Sequence, residues 1–283
     1  MAVNDWLTVT RGDAPLVVSV PHAGTQFPKD VEHRFVSPWL ARKDADWWLE
    51  RLYDFAGALG ATVVRTAISR TVIDVNRDPS GVSLYPGQAT TGLCPVETFD
   101  GEPLYVDDGA PADAEIAERR ARYFDPYHQA LAGELTRLRQ AHADVVVYDC
   151  HSIRSRIPRL FTGELPQWNI GTNDGGSCAS SLTRLVQARC EASGLSHVTN
   201  GRFKGGYITR HYGRPTDGVH ALQMELACRG YMREPAGAAT PENWPSSYVD
   251  AETVPLRATL HAILEAAVAF ATEASLGPAK GVL

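Results

Sequence analysis

The sequence predicts a single α/β domain with a central mixed or mostly parallel sheet flanked by helices. Three observations predict it. Short β-branched runs read as buried strands, amphipathic stretches between them read as helices, and the two alternate along all 283 residues without a linker, a repeat or a shift in composition. The whole chain, 1–283, is therefore taken as one domain.

Leu16 to Val20 is a continuous apolar run ended by Pro21 and Gly24, a buried strand opening into a loop. From Pro38 to Leu59, the residues Trp39, Leu40, Trp47, Trp48, Leu52, Phe55 and Leu59 recur at helical intervals, and Gly60 supplies a stop. Ala61 to Arg65 and Thr71 to Val75 are β-branched and read as neighbouring strands. Asp78 to Pro111 is rich in Gly, Pro, Thr and Asp and has little periodicity. A loop of that length is usually functional or disordered, and Tyr85, Pro86, Phe99 and Tyr105 make this one an ordered cover. Ala112 to Ala143 is a long helical pattern with a bend at Pro126. Asp144 to Asp149 is the clearest central strand. Cys178 to Ser193 is a helix ending at Gly194, His220 to Leu226 a further strand, and Glu252 to Leu276 a closing amphipathic helix, after which the tail from Gly277 is expected to fray.

Composition excludes several classes. With 44% hydrophobic and 21% charged residues, the chain has the proportions of a soluble globular protein. A net charge of −6 and the lack of any Lys/Arg run argue against nucleic acid or an anionic membrane as partner. No apolar stretch of membrane-spanning length stands out, and Met1 to Gly12 lacks the charged and apolar regions of a signal peptide. The five cysteines include no Cys-x-x-Cys pair, which removes a zinc knuckle and makes a reducing cytoplasm the expected location. Nothing in the pattern sets an oligomeric state.

The chain has no Gly-x-Ser-x-Gly elbow, phosphate loop, Gly-x-Gly-x-x-Gly or His-Glu-x-x-His. Its chemistry-bearing residues sit instead at strand ends, where open α/β sheets place their sites. His22 follows the first strand, in Val-Pro-His-Ala-Gly, and His151 follows the central one, in Asp-Cys-His-Ser. Two imidazoles leaving two buried strands can converge on one ion, with Asp46, or second to it Asp44, as a third ligand; alternatively both rings merely hydrogen-bond nearby backbone. Glu225 lies in an otherwise apolar strand, where a carboxylate is costly unless paired or functional. It is either a general base beside the ion or a residue on the solvated face of an edge strand, alternating with Gln223. Around Asp74, the guanidinium groups of Arg70 and Arg77 suit an anionic substrate or form structural ion pairs. Asn200 to Gly213 is dense in Gly, cations and Tyr and suits an anion-binding lid or a surface loop. Cys150 reads as core, and His33, His128, His142, His197, His220 and His261 as structural or solvated residues.

Ser19-Val-Pro-His22-Ala-Gly, Ser69-Arg70 with Asp74-Val-Asn76-Arg77, Leu84-Tyr-Pro-Gly, Asp149-Cys-His151-Ser-Ile-Arg154-Ser and Asn200-Gly-Arg-Phe-Lys-Gly-Gly-Tyr-Ile-Thr-Arg-His-Tyr-Gly together resemble the N-formylglutamate amidohydrolases. Thr91-Gly-Leu-Cys-Pro and Glu97-Thr-Phe-Asp-Gly-Glu-Pro-Leu-Tyr resemble the histidine-utilisation branch of that family. The resemblance spans about Pro15 to Tyr231 and implies a phosphorylase/hydrolase-like fold related to zinc carboxypeptidases and aspartoacylases. It implies a zinc ion, with cobalt or manganese as alternatives, held by His22, His151 and a carboxylate. In the related enzymes that carboxylate follows the first histidine by three positions; Thr25 stands there, so Asp46 is taken by elimination. Glu225 matches the strand-borne general base and acid, and Asn76-Arg77 the pair that holds substrate carboxylate and carbonyl groups. The implied reaction is hydrolysis of N-formyl-L-glutamate, a small anionic N-acyl amino acid. Arg77 would stabilise the oxyanion, and Arg70, Asn76, Arg154 and Arg210 would grip the carboxylates. A related N-acyl-amino-acid hydrolase or carboxypeptidase-like enzyme, and a catalytically silent metal- or ligand-binding protein, are the competing readings.

Overall fold

The computed structural model describes residues 5–82, 87 and 90–276. In chain order the strands are β1 (Leu7–Thr10), β2 (Leu16–Val20), β3 (Thr62–Thr66), β4 (Val145–Ile153), β5 (Trp168–Gly171), β6 (His197–Thr199) and β7 (Val219–Ala227). The helices are α1 (Lys29–Glu32), α2 (Leu49–Leu52), α3 (Asp113–Arg119), α4 (Asp125–Arg139), α5 (Ser180–Ala192), α6 (Tyr207–Tyr212) and α7 (Asp250–Leu276). Among the described residues the strands form one sheet in the order β1-β3-β2-β4-β7-β5-β6. Its centre, β3-β2-β4-β7, is parallel, and β1 and β5 join it antiparallel. The expected mixed α/β architecture is therefore present.

Parallel strands buried on both faces need apolar side chains on both, and the sheet has two cores. On one face Leu16, Val18, Val146, Tyr148, Leu222 and Met224 pack under α5 and α7. On the other, Val17, Val145, Val147 and Ala221 pack under Tyr127, Leu131, Leu135 and Leu138 of α4. Each such side chain withdrawn from water contributes roughly 1.5–3 kcal/mol before the entropy of ordering is subtracted. Helix α7 is long and apolar enough to cross a membrane. Here Leu256, Leu260, Ile263, Leu264 and Ala267 are spent on the core.

Several expected elements differ. The Trp-rich stretch 38–59 is a series of short turns rather than one helix: Trp48 sits at φ 63°, and the Asp46 amide leaves any helical ladder to bond the carbonyl of His22 at 3.0 Å. Tertiary bonds outweigh the helical periodicity, since the Trp39 and Trp48 indoles donate to the carbonyls of Trp244 and Ser246. Thr71 to Val75 is a run of turns, because Ser69 and Thr71 hydroxyls bond the Ala41 carbonyl and Asp74 accepts from the Asn76 amide. The bend in the long helical region is a π turn over Arg120–Phe124, and Pro126 sits in the first turn of the segment after it, where its missing N–H costs nothing. Strands β1, β5 and β6 and helix α6 had no clear periodic signal. Of the cover loop, Phe99 and Tyr105 are buried, while Leu84, Tyr85 and Pro86, like the tail from Gly277, lie outside the described residues.

Candidate active site

The period-2 alternation of a strand places the site. The face that carries Val17, Val145, Val147 and Ala221 turns polar toward the C-terminal strand ends. Ser19 pairs in register with Asp149, Asp149 with Gln223, and His151 with Glu225. The apolar layer under α4 ends at Tyr127, whose hydroxyl meets Ser19 Oγ at 3.0 Å. Beyond it opens a cleft lined by His22, His151, Glu225, Gln223, Asn76 and Gly206, walled by Arg70, Arg77, Arg159 and Arg202, and roofed by Phe99, Ile153, Leu160 and Phe203. β7 is an interior strand between β4 and β5, which removes the solvated-edge alternative for Glu225.

His22, Asp46 and His151 form a buried group whose ligand atoms lie within 4.8 Å of one another, an arrangement able to hold a metal ion. His22 Nε2 lies 2.7 Å from Asp74 Oδ1, and His151 Nε2 lies 2.9 Å from Asp149 Oδ2. A carboxylate at each Nε2 assigns a proton there and turns each Nδ1 toward Asp46, whose Oδ2 is 3.8 Å from His22 Nδ1 and 3.2 Å from His151 Nδ1. His22 Nδ1 and Asp46 Oδ1 are buried without a hydrogen-bond partner. Buried polar atoms are rarely left so, and a cation between them would satisfy both. The donor set, two imidazole nitrogens and a carboxylate, fits an open divalent site.

Asp46, and not Asp44, faces the two histidines. Asp44 Oδ2 accepts the Phe99 amide at 2.6 Å and its Oδ1 accepts from Arg154 at 3.2 Å, which turns it away from the histidines. Thr25 is not in the group; its carbonyl accepts from Arg42.

The charges diverge with surroundings. Burial, with Arg70 next to it, pushes the His22 imidazole down to about 4 despite Asp74 and Asp46. Burial also opposes charge on His151, but Asp149 and Asp46 overcome it and hold its pKa well above the usual histidine value. Asp74 is buried too, yet Arg77, His22 and Arg70 keep it well below the usual carboxylate range. Glu225 goes the other way: burial raises it to about 8, with Asp46 and Asp149 adding to the rise and His151 and Arg70 opposing it. Gln223 Nε2 donates to its Oε2 at 3.0 Å.

The structure brings His22, Asp46, His151, Glu225, Arg70, Asn76 and Arg77 together and leaves two expected residues elsewhere. Arg154 is drawn to Asp100 at 2.7 Å and Asp44 at 3.2 Å, and Arg210 Nε donates to the Gly205 carbonyl; neither lines the cleft. Arg70 borders it, with Nη2 bonded to Asp74 at 2.8 Å, the structural ion pair that was its alternative. Arg159 and Arg202 stand in the wall instead. Their signal was weak: Arg202 lies inside the Asn200 to Gly213 stretch, and Arg159 in an unremarked loop. Asp149 was legible in principle, two residues before His151 and so on the same strand face. The glycine-rich stretch is buried at Gly205 and Gly206. A Cβ on Gly171 would lie 2.5 Å from the Gly205 nitrogen, so the two backbones touch. The Gly206 amide donates to Gln223 Oε1 at 2.8 Å, which pins this part of the stretch to the sheet.

Comparison with known proteins agrees with this geometry. The family described as N-formylglutamate amidohydrolase matches residues 14–232. A curated N-formylglutamate deformylase of Pseudomonas aeruginosa is 43% identical over 96% of this chain and 99% of its own length. One from Pseudomonas putida is 44% identical over 94% and 97%. The fold is shared with a crystal structure of N-formylglutamate amidohydrolase from Ralstonia eutropha, at TM-score 0.77 and 24% identity over 95% of this chain and 99% of that one. It is shared also with a gene product of Agrobacterium tumefaciens, at TM-score 0.70 and 17% identity over 94% and 95%. With the match covering most of its length and its polar strand ends gathered in one cleft, this chain belongs to the N-formylglutamate amidohydrolase family.

Proposed function

We propose that this chain hydrolyses N-formyl-L-glutamate to formate and L-glutamate, with a divalent cation, zinc first and cobalt or manganese as substitutes, held by His22, Asp46 and His151. The observation that carries the reading is the pair of orphaned atoms, His22 Nδ1 and Asp46 Oδ1, buried beside the high-pKa carboxyl of Glu225. When bound, such a cation would polarise the formyl carbonyl and lower the pKa of a neighbouring water toward ~7.

Glu225 takes the proton of the attacking water. The new C–O bond forms at the formyl carbon, and Glu225 hands the same proton to the nitrogen as the C–N bond breaks, which frees an amine rather than an amide anion. A carboxyl that titrates near neutrality can do both. Arg77, half-buried in the cleft wall, faces the developing oxyanion. Asp74 and Asp149 hold the two imidazoles in one tautomer. Phe99, Ile153, Leu160 and Phe203 exclude water from the reacting bond, which strengthens each of these interactions. A substrate with two carboxylates asks for more than one cation, and Arg202 and Arg77 serve here in the places first given to Arg154 and Arg210, with Arg159, paired to Glu97, at the cleft's edge. Five free, buried thiols suit a reducing cytoplasm.

The test is turnover of N-formyl-L-glutamate by the purified chain before and after metal removal, beside N-acetyl-L-glutamate and a glutamyl dipeptide. Loss on stripping, recovery with zinc and preference for the formyl compound support the reading. Turnover that survives complete stripping removes the metal. Preference for a bulkier acyl group moves the chain to a broader N-acyl-amino-acid hydrolase.

A further inference from the structure

We propose that Phe99 sets the size limit on the acyl group, closing the side of the cleft that the hydrogen of a formyl group would face; this rests on the hydrolysis of an N-acyl-glutamate proposed above.

Phe99 is presented by a tight hairpin. The Thr98 amide donates to the Glu102 carbonyl at 2.9 Å, and the Gly101 amide closes the turn on the Thr98 carbonyl at 3.0 Å. Gly101 lies at φ 92°, where any other side chain would be strained. Such a tip ordinarily stands in solvent. Here its two acids are met from the body of the protein: Asp100 lies 2.7 Å from both Arg154 and Lys43, and Glu102 also bonds Lys43. The Phe99 amide donates to Asp44 Oδ2 at 2.6 Å, and Arg154 reaches Asp44 Oδ1 at 3.2 Å. Arg154 and Asp44, which stand away from the histidines, thus hold the hairpin down, and Phe99 is left 9% exposed.

The ring is turned to the wall that carries Asp46. The Arg70 guanidinium lies over its face, 4.9 Å from the ring centre, and Arg70 Nη1 is 3.6 Å from Asp46 Oδ1. Phe99 also packs with Ile153, which lies two residues beyond His151 on the same face of β4. The carbon under attack has three substituents. Its oxygen goes to the cation, and its nitrogen must face Glu225 to be protonated. The amino-acid part beyond that nitrogen extends toward Arg202, on the glycine-rich stretch. Among the described residues, the third substituent is left the side closed by Arg70 and Phe99. Arg70 could swing away only by losing its 2.8 Å bond to buried Asp74, and Phe99 is fixed by the hairpin. A hydrogen fits there without moving either; a methyl group would have to displace one of them.

The experiment measures kcat/KM for N-formyl-, N-acetyl- and N-propionyl-L-glutamate with zinc added, for wild type, Phe99→Ala, Phe99→Leu, Arg154→Met and Phe203→Ala. Thermal unfolding reports their integrity, and leucine, which keeps more of the bulk, stands in if alanine at this position fails to fold. The formyl-to-acetyl ratio should fall roughly 10–200-fold in Phe99→Ala, the worth of one methyl group's space in a tight pocket, and by less in Phe99→Leu. Part of that fall should be a gain in absolute rate on the acetyl substrate, which a merely damaged enzyme would not show. Arg154→Met, which releases the hairpin, should move the ratio the same way by a smaller factor. Phe203→Ala, in the roof but on the glycine-rich stretch, should leave it where it is in wild type. A ratio unchanged in the Phe99 variants, or lowered as far by Phe203→Ala, would overturn the proposal. A wild type that takes acetyl as readily as formyl would overturn it too, with the hydrolytic reading intact. A wild type that hydrolyses none of the three would instead remove that reading, and this inference with it.

Discussion

His151 and Glu225 face each other in register across the parallel strands β4 and β7, a histidine between two carboxylates opposite a carboxyl with burial as its main influence. One face of the sheet thus carries a buried imidazole and a buried carboxyl side by side on adjacent strands. The sheet's spacing, rather than a flexible loop, sets the distance between the two functions.

If Glu225 moves the proton, Glu225→Gln keeps the shape and the bond from Gln223 but loses the base. The turnover number should fall by roughly 10²–10⁴, with bound metal unchanged. Both are read on one preparation, by steady-state assay and elemental analysis. A variant that retains turnover would take Glu225 out of the reaction.

Asp46 carries one of the two orphaned atoms, so Asp46→Ala should leave the protein with little bound cation and little activity. The affinity of wild type should also weaken as pH falls, because the raised pKa of His151 means the cation competes with a proton there. Titration with zinc at two pH values, with and without the substitution, checks both. Equal affinity in the variant would place the ion elsewhere.

Arg202→Met removes a cation from the cleft wall while keeping much of its bulk. KM for N-formyl-L-glutamate should rise by about 10–100-fold, the worth of a charged hydrogen bond. KM for N-formyl-L-glutamine, whose side chain is neutral, should move little. Equal effects on the two substrates would argue against a carboxylate contact at Arg202.

His128 offers a prediction away from the site. Burial, against the pull of the Val75 carbonyl, holds its pKa at about 4, below its unfolded value. The unfolded chain therefore binds the extra proton first, and stability falls as pH drops from about 6.5 toward 4. His128→Gln can keep the bond now made at 2.8 Å to Val75. It should flatten the dependence of unfolding free energy on pH in that window by at most about 1.4 kcal/mol per pH unit, less because part of the ring reaches solvent. Urea titrations at several pH values measure it. A variant with the wild-type slope would show that His128 titrates normally.

The central strands were legible because each holds a short run of mostly apolar residues, as in Leu16–Val18 and Val145–Val147. Strands β5 and β6 were not. Trp168–Gly171 and His197–Thr199 are short, and each takes its conformation from hydrogen bonds to a neighbour that sequence spacing does not reveal. His22 and His151 could be picked out because polar residues at the ends of apolar strands are conspicuous. Asp46 could be named only by elimination, since it sits in a stretch whose aromatic spacing imitates a helix.

The sequence by itself determined the α/β class, the two histidines, the strand-borne glutamate and the resemblance that ties them together, because strand periodicity and local motifs are short-range properties. The tertiary structure alone decided that Asp46 and not Asp44 faces those histidines, that Asp74 and Asp149 hold their outer nitrogens, and that Arg159 and Arg202 take the wall while Arg154 is claimed by Asp44 and Asp100. The reason is physical. Which cation a buried carboxylate captures depends on distances between residues far apart in the chain, and those distances exist only once the sheet and its loops have packed.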